Sequence, residues 1–248
     1  RILAIGDLHG DWMHAIKSLR TAGVIDAKHN WIAGDATFVQ TGDIVDRGDD
    51  TIRLYELMRK LTQQARAAGG EVRQLLGNHE VMNMEGDLRY VTPGDVAKAG
   101  GDEARRLLWS KQGWIGQYLR ELNITTMVHG HVFVHGGVNV DWAKQGLDVI
   151  NMLGRVLLQA EQQFMFDHSM LHDPHGPLWY RGYALDPEPV ACRNVEEALG
   201  YLGAKRIVMG HTPQLETGKI LSRCDGRILI IDIGISQVYG GHTGAVEI

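Results

Sequence analysis

Short apolar runs that end in glycine alternate along this chain with longer stretches whose apolar residues recur at helical spacing. Arg1–Ile5, Thr37–Thr41 and Glu71–Leu76 have the length and flanks of buried strands. Between them, Asp11 is placed to cap a helix carrying Trp12, Met13, Ile16 and Leu19. Thr51–Ala68 sets Ile52, Tyr55, Leu57, Met58 and Leu61 on one helical side. Val81–Leu122 is mostly helical, with a polar insert at Thr92–Asp102. Thr125–His135, rich in Val, Thr and Phe, returns to strand. Asp141–Phe166 reads as one long helix, and Asp167–Arg193, with four of the six prolines, as loop. Three further apolar runs, Arg206–Met209, Arg227–Ile233 and Ala245–Ile248, predict a second sheet region. Strand–loop–helix alternation of this kind predicts an α/β fold with a largely parallel sheet and functional groups beyond the strand ends. No linker, repeat or low-complexity tract interrupts it, so residues 1–248 are expected to form a single domain.

Composition narrows the function classes. A net charge of −5 leaves no electrostatic footprint for nucleic acid or an anionic membrane. No apolar run approaches the roughly 18 residues of a membrane span, so neither partner is expected. The two cysteines, Cys192 and Cys224, lie far apart, which argues against structural zinc held by thiolates; two separate thiols are the simpler reading, with a single disulfide as the alternative. Arg1 falls directly in a strand with no initiator Met. The chain therefore reads as a processed or trimmed product, with its compartment, cytoplasmic or organellar, left open.

The chemistry sits where the strands end. Three motifs follow the first three strands: GDLHGD at Gly6–Asp11, GDIVDRGDD at Gly42–Asp50 and GNHE at Gly77–Glu80. His135 follows a strand in VFVHGG, and His211 follows another in IVMGHT. Asp7 and His9, two residues apart, can face one metal ion. Asp43, with two oxygens, can bridge that ion to a second one completed by Asn78, His135 and His211. Oxygen and imidazole donors of this kind suit zinc, iron or manganese. Two divalent ions against the charges of Asp7 and Asp43 leave the centre positive before Arg47 is counted. Such a centre attracts phosphate and acidifies a bridging water to a pKa of about 7, which makes hydroxide the expected nucleophile. His79, oriented by Asp46, is placed to protonate the leaving oxygen. Arg47 and Arg181 are candidates for bidentate contacts to phosphate.

The ordered set GDLHGD, GDIVDRGDD, LLGNHE, FVHGGV, WYRGY and MGHT resembles the phosphoprotein phosphatase family of metallophosphoesterases. LLGNHEVMN, GDLRYVTP, PLWYRGYA and IDIGIS…YGG most resemble its Shewanella-like branch. The resemblance spans nearly the whole chain. It implies a calcineurin-like fold, a central β-sandwich of two mixed sheets flanked by helices, with two metal ions, manganese or an iron–zinc pair. It assigns Asp7, His9 and Asp43 to the first ion, and Asp43, Asn78, His135 and His211 to the second. Arg47, Arg181 and Asn78 go to phosphate, and the His79–Asp46 pair to protonation. The implied activity is hydrolysis of phosphoserine, phosphothreonine or phosphotyrosine in a protein partner. The rivals are a nucleotide-directed hydrolase, such as a symmetrical dinucleoside tetraphosphatase, and a catalytically inactive phosphoprotein-binding scaffold. Eukaryotic Ser/Thr members carry an SAPNY segment whose tyrosine lines the site. IDIGISQVYGG stands there in this chain, so that aromatic wall is expected to be missing.

Overall fold

The computed structural model describes residues 1–160 and 170–248. Three strands, β1 (Ile2–Ile5), β2 (Thr37–Gln40) and β3 (Glu71–Gln74), run parallel in the order β3-β2-β1. A short strand, β9 (Val246–Glu247), pairs antiparallel with the free edge of β1. Around it, Ile2 N–H donates to Ile248 O at 3.0 Å, Ile248 N–H donates to Ile2 O at 2.9 Å, and Arg1 pairs with Glu247. The second sheet has the order β4-β5-β6-β8-β7. Its parallel centre is β5 (His131–Val134), β6 (Arg206–Met209) and β8 (Ile228–Ile230), with β4 (Thr125–Val128) and β7 (Leu221–Arg223) antiparallel at the edges.

Side-chain alternation in these strands explains the layering. Ile2, Ala4, Val39, Phe133, Val208 and Leu229 form a buried cluster between the sheets. Their neighbours Leu3, Ile5, Phe38, Val132, Val134, Ile207 and Ile230 belong to the larger core under the helices. The central strands β1, β5, β6 and β8 are thus apolar on both faces, which is why they read as continuous hydrophobic runs, whereas the edge strands β3 and β7 are polar and more exposed. Phe38 and Phe133 are fully buried, and each such ring contributes about 1.5–3 kcal/mol by leaving water. Helices α1 (Trp12–Thr21), capped by Asp11, and α2 (Thr51–Ala67) follow β1 and β2 as expected. After β3 come α3 (Asn78–Glu85), α4 (Pro93–Lys98), α5 (Asp102–Trp109) and α6 (Trp114–Arg120). This is the two-sheet sandwich with outer helices that the resemblance implied. No helix among the described residues is long and apolar enough to cross a membrane.

Several local expectations are corrected. Thr125–His135 is a tight hairpin, not one strand, because His129 and Gly130 both take positive φ and turn the chain. The long helix at Asp141–Phe166 is broken at Gly146 (φ 87°) into α7 (Val140–Gln145) and α8 (Leu147–Gln159). Its last residues, 161–166, and the first of the expected loop, 167–169, lie outside the described residues. The rest of that loop contains α9 (Gly182–Leu185) and the start of α10 (Glu188–Leu202), whose prolines sit where a helix tolerates them. The Ala245–Ile248 run joins the first sheet and not the second. Cys192 and Cys224 are also not separate thiols but a disulfide with Cα atoms 5.3 Å apart. Their separation of 32 residues is closed in space because α10 packs on β6, next to the turn from β7 to β8 that carries Cys224.

Candidate active site

All five motif loops leave the C-terminal ends of the parallel strands, three from one sheet and two from the other. The loops are locked together by backbone. Leu8 N–H and His9 N–H donate to Asp43 O at 2.9 and 3.0 Å, and Gly10 N–H donates to Ile44 O at 2.7 Å. Gly10 (φ +63°) touches Gly48 so closely that a Cβ on either would overlap the other's backbone. Glu80 is the central clamp. Its buried carboxylate accepts from the amides of Asp43, Ile44 and Gly77 and from the Tyr55 hydroxyl, all at 2.7–2.8 Å. Nine non-glycine residues among those described have positive φ, and five are His9, Asp43, Asp46, Arg47 and His211. Each such conformation costs of the order of 1 kcal/mol. Five of the nine therefore lie where the candidate chemistry does; His29, His129, Cys224 and Asp225 sit in turns elsewhere.

Two clusters share Asp43: one with His9 and His79, the other with His135 and His211. In the second, His135 Nδ1–H donates to Thr41 O at 2.9 Å, which leaves Nε2 as the ring atom able to offer a lone pair. That atom lies 2.9 Å from Asn78 Oδ1, 3.1 Å from His211 Nδ1 and 3.3 Å from Asp43 Oδ2. Acceptors packed this closely repel one another unless a cation lies among them. Such separations are the edges expected between ligands held about 2.1 Å from one ion. The residues fit a metal ion. In the first cluster, His9 Nδ1–H donates to Val45 O at 3.0 Å and leaves Nε2 facing Asp43 Oδ2, 3.8 Å away. Asp7 comes from the other side, accepting from His211 N–H at 3.1 Å.

Titration behaviour agrees with ligand duty. Burial lowers the His9 imidazole to about 4 and holds His211 well below its ordinary value, so both rings are neutral near pH 7. Burial alone would raise Asp43, but His135, His79 and His9 hold it well below the usual carboxylate range. Asp7 is pushed well up by burial, then by Asp232 and Asp43; Asp232 itself is pushed up to about 6 by burial. A bound cation relieves this crowding of carboxyls.

The remaining expected residues also gather here. His79 Nδ1 meets Asp46 Oδ2 at 2.5 Å, and His79 Nε2 lies 3.8 Å from Asp43. Burial would lower the His79 pKa, but Asp43 and Asp46 outweigh it and raise it. Half-buried Arg47 lies 4.2 Å from the Tyr90 ring centroid, and its amide donates to Tyr90 O. Arg181 Nη1 donates to His211 O at 2.6 Å and lines a cavity of about 500 Å³ with Asn139, Tyr180 and Asn194. The expected gap in the aromatic wall is not found. Tyr239, from IDIGISQVYGG, places its ring 5.1 Å from His9 and 5.6 Å from the Arg47 guanidinium. Glu80, Asn83, Tyr239 and Asp232 were not singled out from sequence. Glu80 had a visible signal in GNHE and Tyr239 in its glycine-flanked position, whereas Asn83 and Asp232 had none.

The calcineurin-like phosphoesterase description matches residues 1–215, and the chain belongs to that family. An uncharacterized protein of Schizosaccharomyces pombe is 42% identical over 100% of this chain and 76% of its own length. Shewanella-like protein phosphatase 1 of Plasmodium berghei is 30% identical over 95% of this chain and 67% of its own. The crystal structure of a cold-active protein-tyrosine phosphatase from a psychrophilic Shewanella species superposes with a TM-score of 0.85 at 31% identity, covering 98% of this chain and 73% of that one. With this family, this fold and histidine–aspartate clusters able to hold metal ions, the chain is a metal-dependent phosphatase.

Proposed function

We propose that residues 1–248 act as one catalytic domain that removes phosphate from a protein, with phosphotyrosine the preferred substrate. The observation that carries this reading is the convergence of Asp43, Asn78, His135 and His211 lone pairs beside the His9–Asp43–His79 group. Asp7, His9 and Asp43 would hold one ion and Asp43, Asn78, His135 and His211 a second, with manganese or an iron–zinc pair suited to the donors. When bound, two such ions supply Lewis acidity and a water deprotonated near neutral pH. Arg47 and Arg181, with Asn78, orient the phosphate oxygens. Protonated His79, held by Asp46, gives its proton to the leaving oxygen. The preference for phosphotyrosine is supported by the name of the Shewanella phosphatase and by the half-buried Tyr90 and Tyr239 rings beside Arg47.

Elemental analysis and rates on matched phosphotyrosine, phosphoserine and phosphothreonine peptides test this. Close to two transition-metal ions per chain are expected, with the highest kcat/KM on phosphotyrosine. Full activity in the metal-free chain would refute the site, and faster turnover of diadenosine tetraphosphate than of any phosphopeptide would refute the substrate class. His79→Asn is expected to lose about 100- to 10,000-fold on phosphoserine peptides, whose alkoxide leaves only with a proton, and far less on p-nitrophenyl phosphate. Equal losses on both would remove His79 from the acid role.

A further inference from the structure

His79 uses only one oxygen of Asp46. The other, Oδ1, accepts from Asn83 Nδ2 at 2.9 Å. Asn83 lies one turn beyond His79 on α3, and the same Nδ2 donates to His79 O at 2.9 Å. Its opposite end, Oδ1, accepts from Arg105 Nη2 at 2.8 Å, and Arg105 Nε donates to Asp95 Oδ2 at 2.7 Å. Asp95 N–H donates to Thr92 Oγ1, whose hydroxyl donates to Asp49, so the circuit closes on the loop that carries Asp46. Asp46, Asn83, Arg105 and Asp95 are all at most 3% exposed.

The ends of a primary amide differ, one donating and one accepting, while a guanidinium only donates. Arg105 therefore compels Asn83 to present its oxygen to the guanidinium and its NH₂ to Asp46. Reversed, the amide would set an oxygen against a carboxylate oxygen at hydrogen-bond distance. A buried ion pair such as Arg105–Asp95 adds little stability over well-packed apolar side chains, and its presence here suits a directional task.

We propose that Asn83 and Arg105 are positioning residues for the proton donor: Arg105 sets the polarity of Asn83, Asn83 pins Asp46, and Asp46 aims His79 at the leaving oxygen. This builds on the acid role given to His79 above. The test is steady-state kinetics of Asn83→Leu, Arg105→Met, Arg105→Lys and His79→Asn, each loaded with metal. The substrates are p-nitrophenyl phosphate, phenyl phosphate and a phosphoserine peptide, and metal content and tungstate inhibition are measured beside them. Asn83→Leu and Arg105→Met should lose kcat by about tenfold or more on the two substrates with basic leaving groups. They should lose much less on p-nitrophenyl phosphate, with metal content and tungstate inhibition unchanged. Arg105→Lys, still donor-only, should restore most of the loss. In an Asp46→Asn background, Asn83→Leu should add no further factor. Where Arg105→Met does not fold, Asn83→Leu, which keeps the Arg105–Asp95 pair, decides alone. Leaving-group dependence in His79→Asn but uniform slowing, or none, in Asn83→Leu overturns the positioning role and leaves the acid role intact. No dependence in His79→Asn overturns both.

Discussion

Glu80→Gln keeps the shape of the clamp at the centre of the site and removes its charge and one acceptor. Ile44 N–H and the Tyr55 hydroxyl meet one carboxylate oxygen at 2.8 Å, and the amides of Asp43 and Gly77 meet the other at 2.8 and 2.7 Å. A hydroxyl can turn and accept, but a backbone amide cannot. The least costly arrangement leaves the glutamine oxygen with Asp43 and Gly77 and sets its NH₂ against Tyr55 and Ile44. Ile44 N–H is then a buried donor without an acceptor, at about 1–3 kcal/mol. Loss of charge assistance in the two remaining amide bonds adds about 1 kcal/mol each. The total of about 3–5 kcal/mol is a large part of the roughly 5–15 kcal/mol that holds a domain folded. Urea unfolding of the metal-free chain should register it directly. Because the same bonds hold Asp43 at φ 56°, a metal titration should show weaker binding in the variant that still folds. A Glu80→Gln chain within 1 kcal/mol of the parent, with equal metal affinity, would mean that the Asp43 loop is held by other contacts.

Asp43→Asn should abolish turnover more completely than loss of any other single ligand, since both clusters lose their shared carboxylate. Elemental analysis should find less metal, and normal metal content with normal activity would rule the site out. Arg181→Ala should weaken inhibition by phosphate and tungstate by tens- to hundred-fold, about 2–3 kcal/mol, with metal content intact; unchanged inhibition constants would place Arg181 outside the site. Reducing the Cys192–Cys224 bond, which closes a loop spanning 32 residues, should lower unfolding free energy by about 3–4 kcal/mol by the chain-entropy relation. Identical denaturation midpoints with and without reductant would contradict that.

What the sequence made legible follows from how local each signal is. Asp7, His9, Asp43, Asn78, His135 and His211 stand immediately after apolar runs and beside glycines, so strand, turn and donor can be read from a few adjacent residues. The structure brings all six to one place because parallel strands end on one side. The disulfide, the pairing of β9 with β1, and the link from Asp46 through Asn83 to Arg105 join residues distant in sequence with no local pattern between them. The breaks at His129–Gly130 and at Gly146 are hidden in the sequence because one or two residues with positive φ turn the chain between segments whose patterns otherwise run on. Tyr239 is hard to read as a site residue because its segment departs from the SAPNY spelling, although the ring stands beside His9 all the same.

The reciprocal bonds between Ile2 and Ile248 bring residues 1 and 248 together at the start of β1, the end of that strand remote from Asp7. A few glycines would join them without moving any strand. The sequence could then be reopened at the exposed turn around Ala27 and Lys28, with every strand neighbour and strand-tip loop kept in place. A circular permutant of that kind should fold and keep its turnover. For the same reason, a tag or surface linker attached at either residue leaves from the end of the first sheet opposite the strand-tip loops.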